Sequence, residues 1–155
     1  NFTFPFIEGV NFNNYNVENV LVLSLNQPID IFDVTLSFEK HVRFSDEDNY
    51  LYFIGDVIVK ATNNFLGGDN FVTLRGFFYT PNDLSYESGY TIPYYSNWEF
   101  TEWIGPGQTK EDSPNKDVMT MANYIPEDPT GSCLYLYDIM VSTQEFDSDI
   151  LVCFE

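Results

Sequence analysis

Apolar and polar residues alternate with a period of two along most of the chain, and no stretch shows the spacing of an amphipathic helix. Phe2, Phe4 and Phe6 alternate with Asn1, Thr3 and Pro5, and the proline restricts this segment to a sheet edge. The apolar run Asn19 to Leu25 reads as a strand covered on both sides, ended by Gln27-Pro28. Ile29 to Phe44 holds one or two strands. In its second half Leu36, Phe38, Val42 and Phe44 share a face, while Glu39, His41 and Arg43 point the other way. An acidic turn, Ser45 to Asn49, leads into a strand over Leu51 to Ala61, where Gly55 suggests a bulge. Asn63 to Asn70, with Gly67-Gly68-Asp69, reads as a hairpin connection. Further strands are expected over Phe71 to Thr80, Tyr90 to Ile104, Val118 to Ile125, Cys133 to Val141 and Ile150 to Phe154. Pro81 to Gly89 reads as a loop, with room for one helical turn, and Gly105 to Lys116 as a long polar loop.

Turn signals recur about every ten residues, and β-branched and aromatic residues fill the intervals. The pattern predicts an all-β chain: a two-sheet antiparallel β-sandwich or jelly roll of nine or ten strands with little or no helix. No repeat, low-complexity tract or linker interrupts it, so residues 1–155 are expected to form a single domain. At 44% hydrophobic and 18% aromatic, the chain has the material for a core without metal or multiple disulfides.

The two cysteines, Cys133 and Cys153, fall in strand-like segments near the C-terminal end. Paired across adjacent strands, they set a hairpin centred on Thr143 with Val141 opposite Glu145. Such a hairpin needs an odd-numbered loop, yet Ser142-Thr143-Gln144 lacks the glycine those loops favour. The bond is expected in preference to two buried, reduced thiols, with its register open between a longer loop and strands that are not hairpin neighbours. The absence of an initiator Met makes this a processed chain or an excised fragment, and with an even cysteine count, few lysines and strong acidity it points to an extracellular protein with one disulfide. Asn1-Phe2-Thr3 is an N-glycosylation sequon, a pattern that also arises by chance in an Asn-rich chain.

Six basic and 24 acidic residues leave a formal charge of −18, which repels nucleic acid and anionic membrane surfaces. A single histidine, His41, rules out a multi-histidine zinc site and reads as a solvated strand residue. No nucleophile elbow, phosphate-binding glycine loop or C-x-x-C pair occurs.

Carboxylates are the abundant reactive groups. Along Asn97-Trp98-Glu99-Phe100-Thr101-Glu102-Trp103, strand geometry sends Glu99, Thr101 and Trp103 to one face and Trp98, Phe100 and Glu102 to the other. Glu99 and Glu102 thus diverge, and cannot by themselves form a glycosidase pair. With Trp98 and Phe100 inward, Trp103, Thr101 and Glu99 form an outward patch near Tyr94 and Tyr95, the combination of indole and acceptors that sugar recognition uses. The competing expectation makes Trp103 a core or capping aromatic.

Among the acidic clusters, the turn Asp46, Glu47, Asp48 and Asn49 is the first candidate for calcium, although it lacks the EF-hand pattern. Lys40 and Lys60 fall in register with apolar residues and are expected to snorkel or to pair with a carboxylate.

The leading expectation is a non-catalytic extracellular module that binds carbohydrate through the aromatic patch, with calcium as the one candidate cofactor. The alternative is a structural or adhesive subunit of a fibre, coat or matrix, whose partner is itself and whose N-terminal strand enters a neighbour's sheet. A polysaccharide-active glycosidase ranks third.

Overall fold

The computed structural model describes residues 19–47, 50–85, 91–114, 123–124 and 133–153, and within them the side chains of 19–41, 57–78, 97–114 and 133–153. Eleven strands run in chain order among the described residues: β1 (Val20–Leu23), β2 (Ile29–Ile31), β3 (Val34–Glu47), β4 (Tyr50–Asn63), β5 (Asn70–Ser85), β6 (Thr91–Ile104), β7 (Thr109–Asp112), β8 (Asn123–Tyr124), β9 (Cys133–Val141), β10 (Gln144–Glu145) and β11 (Asp149–Cys153). They form two sheets. The larger has the order β1-β11-β9-β5-β6, with β10 beside β9 and β8 beside β5; the smaller is β2-β3-β4-β7.

The core lies between the sheets, where the period-two alternation places it. Val34, Leu36 and Phe38 of β3 and Val57, Val59 and Ala61 of β4 meet Val72, Leu74 and Phe78 of β5, Trp98, Phe100 and Ile104 of β6, and the inward residues of β9 and β11. An all-β, two-sheet sandwich is therefore the architecture, as the alternation implies. A smaller apolar cluster, Phe77, Cys133, Tyr135 and Leu151, is buried on the other face of the larger sheet.

Several expected details change. The pairing is mixed, because β1 runs parallel to β11, with Val20 opposite Asp149 and Leu23 opposite Val152. Leu21 and Val22 are exposed, so β1 is not covered on both sides. No bulge occurs at Gly55: β3 and β4 pair without interruption from Val34–Asn63 to Glu47–Tyr50. The Pro81 to Gly89 segment is not loop throughout, since β5 continues to Ser85, and the Gly105 to Lys116 segment carries β7.

The connection Asn63 to Asn70 is also not a hairpin. Strand β4 belongs to the smaller sheet and β5 to the larger, so this segment arches between them. Asn63, 0% exposed, is the hub of the arch. Its Nδ2 donates to the carbonyls of Gly68 (3.0 Å) and Ile104 (2.9 Å), and its Oδ1 accepts from the Phe65 N–H (2.9 Å) and Asn70 Nδ2 (2.9 Å). Its backbone N–H donates to Gln108 O and its carbonyl accepts from the Gly107 N–H, where Gly107 takes the left-handed φ of 72°. Every donor and acceptor of this buried amide is engaged, which offsets the cost of removing it from water.

The disulfide joins Cys133 to Cys153, directly opposed on β9 and β11. The loop question resolves through a one-residue shift. Near the tip Gln144 pairs with Val141 and Glu145 with Met140 around the two-residue turn Ser142-Thr143, with Ser142 at φ 56°. Farther on, Ile150 pairs with Leu136, so the segment 146–149 absorbs the extra residue. A tight turn and the cysteine register thus coexist.

Candidate functional site

The outer face of the larger sheet carries the candidate site. Along β6, Trp98 and Phe100 enter the core and Glu99, Thr101 and Trp103 face outward, the arrangement the alternation predicts. Trp103 is 62% exposed and is neither core nor cap. Its indole leans on Phe71, its register partner on β5, with centroids 5.0 Å apart and planes at 42°. The β9–β10 turn holds Phe71 in place: the Ser142 N–H donates to Phe71 O, and Ser142 Oγ donates to Asn70 Oδ1 at 2.8 Å.

Two rungs along the same face, Arg75 pairs in register with Glu99. Arg75 Nε lies 4.0 Å from Glu99 Oε2, and Nη1 lies 3.8 Å from Asp138 Oδ2. Side chains of Arg75, Glu99 and Asp138 are 51%, 55% and 61% exposed, so these ion pairs contribute little stability. Beside them an open depression of about 240 Å³ is lined by Arg75, Gly76, Asn97, Trp98, Glu99 and Tyr137.

A β-bulge delivers Asp138 to this cluster. Thr73 pairs with Met140 and Arg75 with Tyr137, so Leu74 alone opposes Asp138 and Ile139. Asp138 adopts φ 49°, in the left-handed region that Asp tolerates better than most residues. Gly76 follows immediately, where an added Cβ would strike the Tyr135 carbonyl and lie 2.8 Å from Leu136 Cδ2. Only glycine lets β9 approach β5 this closely.

Behind β6, the Trp98 Nε1–H donates to Asp112 Oδ2 of β7 at 2.9 Å, tying the two sheets at this edge. Glu102 points away from Glu99 and accepts from Lys110 Nζ at 3.3 Å. Lys60 pairs with Glu39 at 3.1 Å, on the outward rather than the core face of β4, and Lys40 is exposed. His41 Nδ1 is buried without a hydrogen-bond partner.

Sequence reasoning singled out Glu99, Thr101 and Trp103 and passed over Arg75, Asp138, Asn97 and Tyr137. Arg75 carried a signal, as one of two arginines in the chain and in alternating register with Phe71 and Thr73. Tyr94 and Tyr95 lie on β6 opposite Thr80 and Tyr79, with side chains outside the described set. Asp46 and Glu47 end β3 with side chains likewise outside it, and Asp48, Asn49, Asn1 and the Phe2, Phe4, Phe6 strand lie outside the described residues. Among the described residues, no three His, Cys, Asp or Glu side chains converge as metal ligands. Nor is any helix among them long and apolar enough to cross a membrane. Comparison of the chain with protein-family models, curated proteins and solved structures finds no match.

Proposed function

We propose that the protein is a non-catalytic extracellular module that binds carbohydrate on the outer face of its larger sheet. One observation carries the reading: Trp103 stands 62% exposed against Phe71 while its strand neighbours Trp98 and Phe100 are buried. Exposing an indole costs hydrophobic burial, and a sugar's C–H face recovers it by stacking. Thr101 and Glu99, on the same side of β6, supply hydrogen-bonding groups for ring hydroxyls. The disulfide between β9 and β11 supports an oxidising compartment.

A non-catalytic role suits the carboxylates present. Glu99 and Asp138 are each more than half exposed, whereas a glycosidase acid works from an apolar, water-excluded pocket. Calcium bound by Asp46, Glu47, Asp48 and Asn49 belongs to this reading as a stabiliser, and a thermal melt with calcium and with chelator tests it separately: unchanged Tm removes it.

The test of binding is a glycan array followed by titration of the captured sugar against wild type and Trp103→Ala. Loss of at least about tenfold in affinity, with an unchanged far-ultraviolet spectrum, supports the site. Capture of no glycan, or equal affinity in the variant, overturns it.

A further inference from the structure

Three cross-strand rungs line up on the outer face: Phe71 with Trp103, Thr73 with Thr101, and Arg75 with Glu99. From Trp103 to Glu99 is four residues of extended strand, about 13 Å. This is longer than one pyranose ring and is matched by a short oligosaccharide. The middle rung carries threonines, small enough to leave the path open between the aromatic end and the polar end.

At the polar end one guanidinium faces two carboxylates, and the groups are unfilled in hydrogen bonding. The Arg75 contacts at 4.0 and 3.8 Å are too long for hydrogen bonds, so its rigid fork of donors is open to a ligand or to water. A solvated surface ion network would look similar. The bulge separates the two readings, because strict alternation after Leu134 and Leu136 would turn Asp138 into the core. The left-handed Asp138 instead stands beside Arg75, in a strained backbone conformation that gains no hydrogen bond to the guanidinium. Strain of this kind collects at ligand clamps.

A donor fork flanked by two acceptors complements neighbouring equatorial hydroxyls, each of which both donates and accepts. An acidic sugar would meet Glu99, Asp138 and the −18 field of the chain. Side chains set in successive rungs along an extended strand suit an extended ribbon, the form taken by β-1,4-linked pyranoses.

We infer that this face binds a linear, neutral, equatorially linked glycan lying along β6, with one ring stacked on Trp103 and a later ring hydrogen-bonded by Arg75, Glu99 and Asp138. This rests on the carbohydrate reading above and extends it from a patch to a track.

The experiment is calorimetric titration of the full chain with glucose, cellobiose and cellotetraose, alongside tetragalacturonate. Wild type, Trp103→Ala, Arg75→Ala and Arg75→Gln are compared after circular dichroism shows native spectra. Affinity should rise at least about tenfold from glucose to cellotetraose. Both Arg75 variants should lose that gain, Trp103→Ala should lose binding at every length, and tetragalacturonate should bind more weakly than cellotetraose. Length-independent affinity that still needs Trp103, an undiminished gain in the Arg75 variants, or preference for the uronate overturns the track and leaves the patch standing. Absence of binding to the neutral probes overturns the track, and the patch then stands or falls with the glycan array; binding indifferent to Trp103 overturns both.

Discussion

Asn63 and Arg75 each gather polar partners from more than one distant segment of the chain, and they do so in opposite ways. Asn63 is fully buried, and its side-chain hydrogen bonds all lie between 2.9 and 3.0 Å. Arg75 is half exposed, and its nearest carboxylate oxygens stand at 3.8 and 4.0 Å. A closed buried network holds the sheets in place, because any partner lost there leaves groups that water cannot reach. An open exposed one adds little stability and keeps its hydrogen-bonding capacity for something else. Completeness of hydrogen bonding, more than polarity, separates the structural cluster from the candidate site.

The sharpest test of that contrast is Asn63→Ala. It leaves two carbonyls, one N–H and the Asn70 amide without their partner, and at about 1–3 kcal/mol per stranded group the loss should exceed about 3 kcal/mol. Urea denaturation followed by fluorescence measures it; a loss under about 1 kcal/mol would show that the arch does not depend on its hub. Next comes the Cys133→Ser/Cys153→Ser double variant. Removing a cross-link between residues 20 apart should lower stability by about 3 kcal/mol on the chain-entropy account, checked by the same denaturation.

Gly76→Ala should cost about 1–3 kcal/mol, since the new methyl meets the Tyr135 backbone rather than a movable side chain. A stability unchanged from wild type would show that β9 has room to shift. Smallest of all is Asp138→Gly, expected to leave stability within about 1 kcal/mol of wild type or to raise it, because glycine relieves the left-handed φ. A marked loss in its thermal melt would mean that Asp138 belongs with Asn63 as a structural residue.

Much of the fold was legible from local pattern. The inward set Leu36, Phe38, Val72 and Leu74 follows from period-two alternation, and so does the divergence of Trp98 from Trp103. On β4, where Val57, Ile58 and Val59 are all apolar, alternation does not choose the inward face, and the structure buries Val57 and Val59 and turns Lys60 outward. The arch was not legible, because a Gly-Gly-Asp segment between two strands serves equally well as a hairpin or as a crossing between sheets; the partners of Asn63 decide, and they come from β6 and from the residues before β7. Strand β7 was hidden in a polar stretch, since an edge strand needs few apolar residues. On β9 the sequence held a clue that went unused. In Leu134-Tyr135-Leu136-Tyr137-Asp138-Ile139 strict alternation would bury an aspartate and expose an isoleucine, and that conflict marks the bulge.

By itself, then, the sequence determined the class of fold, the alternation of β3 and β6 and which two cysteines could pair, while the exposure of Trp103 stayed one of two readings until the structure placed it. The first three depend on alternation and on cysteine number, both local properties of the chain. The tertiary structure alone decided which strands share a sheet, how the disulfide register accommodates a two-residue turn, and that Arg75, Glu99 and Asp138 meet beside the aromatic pair. Those outcomes join residues far apart in sequence, and one extra residue in a strand reverses which face every later side chain occupies.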